Sequence, residues 1–307
     1  MILSILYPFF VLTSIFNLNP PAPVQEEDGF SITSNHEYKF PYQFDNPIEQ
    51  FELENDLFEI SGLSIIGKNN LAAIQDEDGI VFILNKKGKI TRQYDFFAKG
   101  DFEGVEIVGN KAFVVKSNGD IYHIENMGEK NQELKIIETR LNKTANIEGL
   151  TFDKANNRLL LAAKGKMEKD SKFSRCVYSY NLKTEKLDDK PVFILDFDKV
   201  HDFVKSGKQT KYLDKIKEKM DNSKHDFSFA TSGIAIHPIT KNYYLISSAG
   251  KMMIVVSPDG EIMHIEKFKK KIHPQPEGIC FEKDGTLWIS NEGKNCPPTL
   301  LRYDFIR

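Results

Sequence analysis

Short apolar runs separated by polar turns follow one another along the chain from about residue 60. Residues 62–66, 71–74, 80–84 and 90–94 form a first set of four. Their length and their content of Ile, Leu, Val and Phe predict β-strands. Asn85-Lys86-Lys87-Gly88 separates the third from the fourth, and its Asn and Gly supply the positive φ that a tight hairpin demands. Residues 234–236, 243–246, 253–256 and 262–265 repeat that order, with Ser257-Pro258-Asp259-Gly260 in the corresponding place. Each set reads as a four-stranded antiparallel meander.

The first strand of each set opens on a small or acidic residue, then Gly, then an aliphatic residue. The openings are Ser61-Gly62-Leu63, Glu103-Gly104-Val105, Glu148-Gly149-Leu150, Ser232-Gly233-Ile234 and Glu277-Gly278-Ile279. The glycines at 62, 104, 149, 233 and 278 are therefore 42, 45, 84 and 45 residues apart. A repeat of roughly 40–50 residues with several strands per unit is the signature of a β-propeller. The last set supplies three strands, at 278–281, 287–290 and 300–305, and the alternating segment 48–53 is the expected fourth. Such a closure joins the two ends in one blade and removes a sheet edge.

Five openings predict an all-β, five-bladed propeller of four-stranded antiparallel blades. Six blades is the alternative, because 84 is twice 42. Strands at 159–163, 177–181 and 192–195 complete the third set and favour five. The Lys- and Asp-rich stretch that follows reads as a helical insertion near 198–228. Within it, Leu213, Ile216 and Met220 share one face of a predicted helix at 212–220.

The apolar run 1–16 carries no charged side chain and is followed by a Pro-rich breaker and Glu26-Glu27-Asp28. It predicts a signal peptide or short membrane anchor over 1–19, a linker over 20–39 and the propeller over 40–307. Net charge is −3, which excludes a basic field for nucleic acid. Cys176, Cys280 and Cys296 make no metal pattern; Cys280 and Cys296 fall in one repeat, and free thiols are the expected state. Most of the seven histidines are expected at surface or edge positions, and Asp76-Glu77-Asp78-Gly79 reads as a turn without the spacing of an EF-hand.

In a propeller the openings of all the innermost strands meet at one end of the axis. The first ring is then Ser61, Glu103, Glu148, Ser232 and Glu277. A second ring, from the ends of the second strands, is Gln75/Asp76, Lys116, Lys164, Ser248 and Asn291/Glu292. Three carboxylates around one axis repel one another unless something offsets them. A hard cation bound by oxygen, Ca²⁺, is one answer. Carboxylates that cap backbone N–H groups or pair with Lys116 and Lys164 are the other.

These same stretches resemble the SdiA-regulated family of bacterial envelope propellers. The matching segments are Glu59-Ile60-Ser61-Gly62-Leu63-Ser64, Asp101-Phe102-Glu103-Gly104-Val105, Asn146-Ile147-Glu148-Gly149-Leu150, Ala230-Thr231-Ser232-Gly233-Ile234 and Gln275-Pro276-Glu277-Gly278-Ile279. The likeness spans about residues 40–307. It implies five blades, calcium at a channel site and association with the bacterial cell envelope, and it implies no reaction. A more distant likeness is to regucalcin and gluconolactonase propellers, which use a metal at the channel mouth.

The expectation is an exported or membrane-anchored calcium-binding module. Its partner would be an unidentified small molecule or envelope protein, and only its N-terminal segment would touch a membrane. The alternatives are a metal-dependent hydrolase of a lactone or phosphoester, and a scaffold without metal. No catalytic residue is evident in the sequence.

Overall fold

The computed structural model describes residues 29–33, 38–165, 174–206 and 229–307. The apolar leader and the helix predicted at 212–220 lie outside the described residues. Two strands precede the first blade, β1 (Phe30–Thr33) and β2 (Glu49–Glu52). Blade one is β3 (Ile60–Ile66), β4 (Asn70–Gln75), β5 (Ile80–Asn85) and β6 (Ile90–Asp95). Blade two is β7 (Phe102–Val108), β8 (Lys111–Lys116), β9 (Ile121–Glu125) and β10 (Glu133–Ile137).

Blade three is β11 (Ile147–Asp153), β12 (Arg158–Ala163) and β13 (Ser174–Asn181), with an outer strand split into β14 (Lys186–Leu187) and β15 (Phe193–Asp196). Both pieces pair with β13, and Pro191, which has no N–H to donate, lies in the break. A helix, α1 (Phe197–Ser206), follows. Blade four is β16 (Thr231–Ile236), β17 (Tyr243–Ser247), β18 (Met252–Val256) and β19 (Ile262–Lys267). Blade five is β20 (Pro276–Phe281), β21 (Leu287–Asn291) and β22 (Thr299–Tyr303). It is completed by β2, which pairs antiparallel with β22 from Glu49↔Arg302 to Glu52↔Thr299. The predicted closure is thus present, and the count is five.

Why the strands read as unbroken apolar runs is visible in the packing. Each blade buries both faces, one against the blade before it and one against the blade after. In β4, Ala72 faces blade two while its neighbours Leu71 and Ala73 face blade five; in β12, Leu160 faces blade four and Leu161 faces blade two. Five hydrophobic clusters result, one between each pair of adjacent blades, and the fifth returns to blade one through Trp288, Cys280 and Leu300.

Two details depart from the sequence reading. The stretch 20–39 is not only a linker, because β1 adds a fifth strand to blade four by pairing with β19. Helix α1 opens the stretch read as a helical insertion, and its Val200 and Val204, four residues apart, are buried in the cluster between blades three and four. His237, His264 and His273 are wholly buried rather than peripheral. His273 stacks on Phe268 and meets the Tyr303 hydroxyl at 2.8 Å, well within the core. All three cysteines are free, with Cys280 buried and Cys296 exposed.

Candidate functional site

Every innermost strand carries the same irregularity at its start. The ladder skips a residue between Ile60 and Gly62, Phe102 and Gly104, Ile147 and Gly149, and Thr231 and Gly233; in blade five it skips between Pro276 and Ile279. A β-bulge leaves its extra residue unpaired and re-aims that side chain. The residues so released are Ser61, Glu103, Glu148, Ser232 and Glu277, the first ring predicted from sequence.

The glycine beside each is required by close approach. A Cβ on Gly62 would stand 3.0 Å from Cα of Gly104, and one on Gly104 would stand 2.8 Å from Cβ of Leu150. On Gly149 it would meet the Ile234 nitrogen at 3.0 Å, on Gly233 the Glu277 carbonyl at 2.5 Å, and on Gly278 Leu63 Cγ at 2.8 Å. These contacts run from blade to blade and close after five steps. They pinch the axis to a void of about 10 Å³, so the space above the ring is a blind cup of about 340 Å³.

The ring members divide by task. Ser61 Oγ donates to the Phe102 carbonyl at 2.8 Å, and Ser232 Oγ donates to the Pro276 carbonyl at 2.6 Å. Both serines staple their blade to the next. Glu148 accepts from Lys164 Nζ at 2.7 Å and from Asn146 Nδ2 at 2.8 Å. Glu277 lies in hydrogen-bonding reach of Ser248 and of Glu292. Glu103 has no hydrogen-bond partner among the described residues.

Of the second ring, Asp76, Lys164 and Ser248 line the cup as expected, and so does Glu292. Lys116 and Asn291 do not. Lys116 opens on a neighbouring hollow with Lys99, Asp101 and Lys143, and Asn291 is buried with its Nδ2 3.1 Å from Thr299 Oγ1. The cause is register. The last paired residues of the second strands are Gln75, Lys116, Ala163, Ser247 and Asn291. The side chains that turn inward belong to the next residue in four blades, Asp76, Lys164, Ser248 and Glu292. A step of one flips a strand residue to the opposite face.

Sequence reading missed a third tier: Glu59 and Gln275, each two residues before a ring member, also line the cup, as do Lys251 and Lys294. The period-two alternation of the innermost strands is the signal for Glu59 and Gln275. Asp76-Glu77-Asp78-Gly79 is a turn, held by Gln75 Nε2 on Asp78 and by the Glu77 amide on Gln75.

Among the described residues six carboxyls and three lysines line the cup. Burial, then the charges of Glu148 and Asp101, pushes Glu103 up to about 9. Burial and Glu148 push Glu277 up to about 8, against the bond from Ser248. Asp76 is driven to about 6 by burial and by Glu59 and Glu292. Burial also raises Glu148 despite Lys164, whereas burial of Lys164 is outweighed by Glu148, Glu277 and Glu103, so its ammonium is firmly held. We read Lys164–Glu148 as an ion pair, because an ammonium with three carboxyls around it stays charged.

The family model described as SdiA-regulated matches residues 35–296. The chain belongs to the SdiA-regulated family. No curated protein matches it. Among solved structures, this SdiA-regulated propeller is similar to the glutaminyl cyclase of Myxococcus xanthus, at 9% identity and a TM-score of 0.54, over 85% of this chain and 97% of that one. It is also similar to the PQQ-bound aldose sugar dehydrogenase of Streptomyces coelicolor, at 10% identity and a TM-score of 0.48, over 90% and 98%. Virginiamycin B lyase from Staphylococcus aureus follows at 14% identity and a TM-score of 0.42, over 82% and 72%. Of these, only the match to the cyclase bears on the fold, and identities this low carry no chemistry across.

For the SdiA-regulated chain the donors facing the cup are carboxylate and hydroxyl oxygens, the set that suits a hard cation and not zinc. Among the described residues, however, no three Asp, Glu, His or Cys side chains converge as a ready metal cage. Ser61 and Ser232 are committed to backbone carbonyls and Glu148 to Lys164, which leaves Glu103 and Glu277 as the first-ring carboxyls with no cation bonded to them among the described residues.

Proposed function

We propose that this protein is a non-enzymatic binding module whose cup takes a hard cation, Ca²⁺. The observation that carries this reading is Glu103: a carboxyl in the cup with no hydrogen-bond partner among the described residues, held above its ordinary range by burial first and then by the charges of Glu148 and Asp101. A divalent cation removes that penalty directly. Glu103 and Glu277 would hold it, with Asp76, Ser248 and water supplying further oxygens. Two to four protein oxygens predict modest affinity, in the range of extracellular calcium modules, with Kd about 10⁻⁴–10⁻³ M.

The apolar run 1–16 supports placing the module outside the cytoplasm, at the cell envelope, where such an affinity is useful. Fractionation of cells carrying the full-length chain tests that placement, and recovery in the cytosol would count against it.

Calorimetric titration with Ca²⁺ and with Mg²⁺ tests the site. Binding of Ca²⁺ with release of protons at pH 8, lost in Glu103→Gln and Glu277→Gln, is the expected result. Undiminished binding in both variants would place the ion elsewhere. Turnover of a lactone or phosphodiester that disappears in Glu148→Gln would replace this reading with a hydrolase.

A further inference from the structure

A hollow of about 320 Å³ lies between blades two and three, on the face of the disc opposite the cup. Chain direction puts it there, since Val108 and Lys111 flank the turn at the far end of β7, and Asn157 and Leu182 stand at the matching ends of blade three. One wall is aromatic: the His123 imidazole stacks on the Phe113 ring with centroids 4.5 Å apart and planes 15° from parallel.

Two residues of this lining hold buried polar atoms with no hydrogen-bond partner, Nε2 of His123 and the hydroxyl of Tyr180. Tyr180 is 2% exposed, so bulk solvent does not serve it. Nε2 of His123 lies 3.3 Å from Glu125 Oε1, an ion pair only if the imidazole is protonated. A buried polar atom left unpaired destabilises the fold. Two such atoms at one hollow are the mark of a site that a ligand completes.

The charges near it cancel in pairs, Lys111 with Glu125 and Lys135 with Glu185, each at 2.6 Å. Burial, then the Lys111 charge, lowers His123 and keeps its imidazole neutral. A charged ligand therefore finds no net counter-charge. An apolar cavity of roughly 150 Å³ accepts one benzene ring, so this volume suits one or two rings.

We propose that this hollow is a second binding site, separate from the cup, for a neutral flat molecule of one or two rings bearing a hydroxyl or similar hydrogen-bonding edge. The rings lie along the Phe113–His123 wall, and the polar edge satisfies His123 Nε2 and the Tyr180 hydroxyl.

The test uses the full-length protein with 2-naphthol and naphthalene as probes, in ligand-detected NMR titrations. Saturable binding of 2-naphthol at least fivefold tighter than naphthalene is expected. Tyr180→Phe and His123→Phe keep ring volume and stacking while removing the polar atoms, and each should cut that preference below twofold. Tyr180→Phe removes an unpaired hydroxyl and should melt no lower than the parent, which separates lost recognition from lost folding. Glu103→Gln, in the cup, should leave the titration unchanged. Equal binding of the two probes, an undiminished preference in both Phe variants, or no saturable binding of either probe would overturn the proposal.

Discussion

Replacing Glu277 by Gln should make the ion-free protein more stable at alkaline pH while weakening its response to Ca²⁺. The sign follows from linkage. Glu277 is raised from 4.5 to about 8 in the folded protein, by burial first and Glu148 next. Between those values the native state binds a proton that the unfolded chain has released, so stability is greatest below 4.5 and declines as pH rises to 8. At about 1.4 kcal/mol per pH unit the ceiling on this penalty is ~5 kcal/mol. The cup is open to water at its mouth, which screens part of it, and we expect ~2 kcal/mol at pH 9. Gln keeps the volume and the hydrogen bonds to Ser248 and Glu292 and carries no charge.

For a chain of this size ~2 kcal/mol corresponds to a rise in Tm of about 3 °C. Thermal melts of parent and Glu277→Gln, followed by circular dichroism in chelator at pH 5, 7 and 9, read it directly. The two curves should nearly coincide at pH 5 and separate progressively toward pH 9. Addition of 5 mM Ca²⁺ at pH 9 should raise the parent and leave the variant almost where it was. A variant that melts with the parent at pH 9, or a gap that narrows as pH rises, would refute the electrostatic reading of the cup.

Three further outcomes follow from the same geometry. Gly104→Ala places a methyl 2.8 Å from Cβ of Leu150 and should cost about 1–3 kcal/mol, read as a lower urea midpoint with an unchanged slope. Ser232→Ala removes the bond to the Pro276 carbonyl and the acceptor for the Ser248 amide, at a cost of about 1–3 kcal/mol in the same assay. Lys164→Met strips the paired cation from the cup; it should lower the chelator-treated Tm at pH 8, and Ca²⁺ should restore more of that loss than it adds to the parent.

The strands were legible because a propeller blade is buried on both faces, which turns each inner strand into an uninterrupted apolar run such as Leu159–Ala163 of β12. The first ring was legible for a different reason. A bulged residue needs no side-chain partner across the ladder, so Ser and Glu are tolerated there, and the following residue must be Gly because the next blade lies against it. The second ring was half-legible. Lys116 and Lys164 look equivalent in sequence, yet Lys116 is paired with Phe102 in the ladder while Lys164 stands one residue beyond its ladder. Only the register separates them, and register depends on contacts between strands. Strand β1 was illegible because Phe30–Thr33 is too short to announce itself apart from β19.

The ring contains its own control. Ser61 and Ser232 occupy the same bulge as the three glutamates and perform the joining task with a hydroxyl and no charge. Closing the disc therefore does not require a carboxylate at this position. Glu103 and Glu277 are nonetheless there, each held well above its ordinary range, and each weakens the fold at neutral and alkaline pH. Lys164 offsets Glu148 but reaches neither of the others closely enough to bond. A destabilising charge at a position where a neutral residue folds equally well is accounted for by what the charge can attract. On the proposed reading that is a cation, placed where five blades deliver their bulged side chains to one cup.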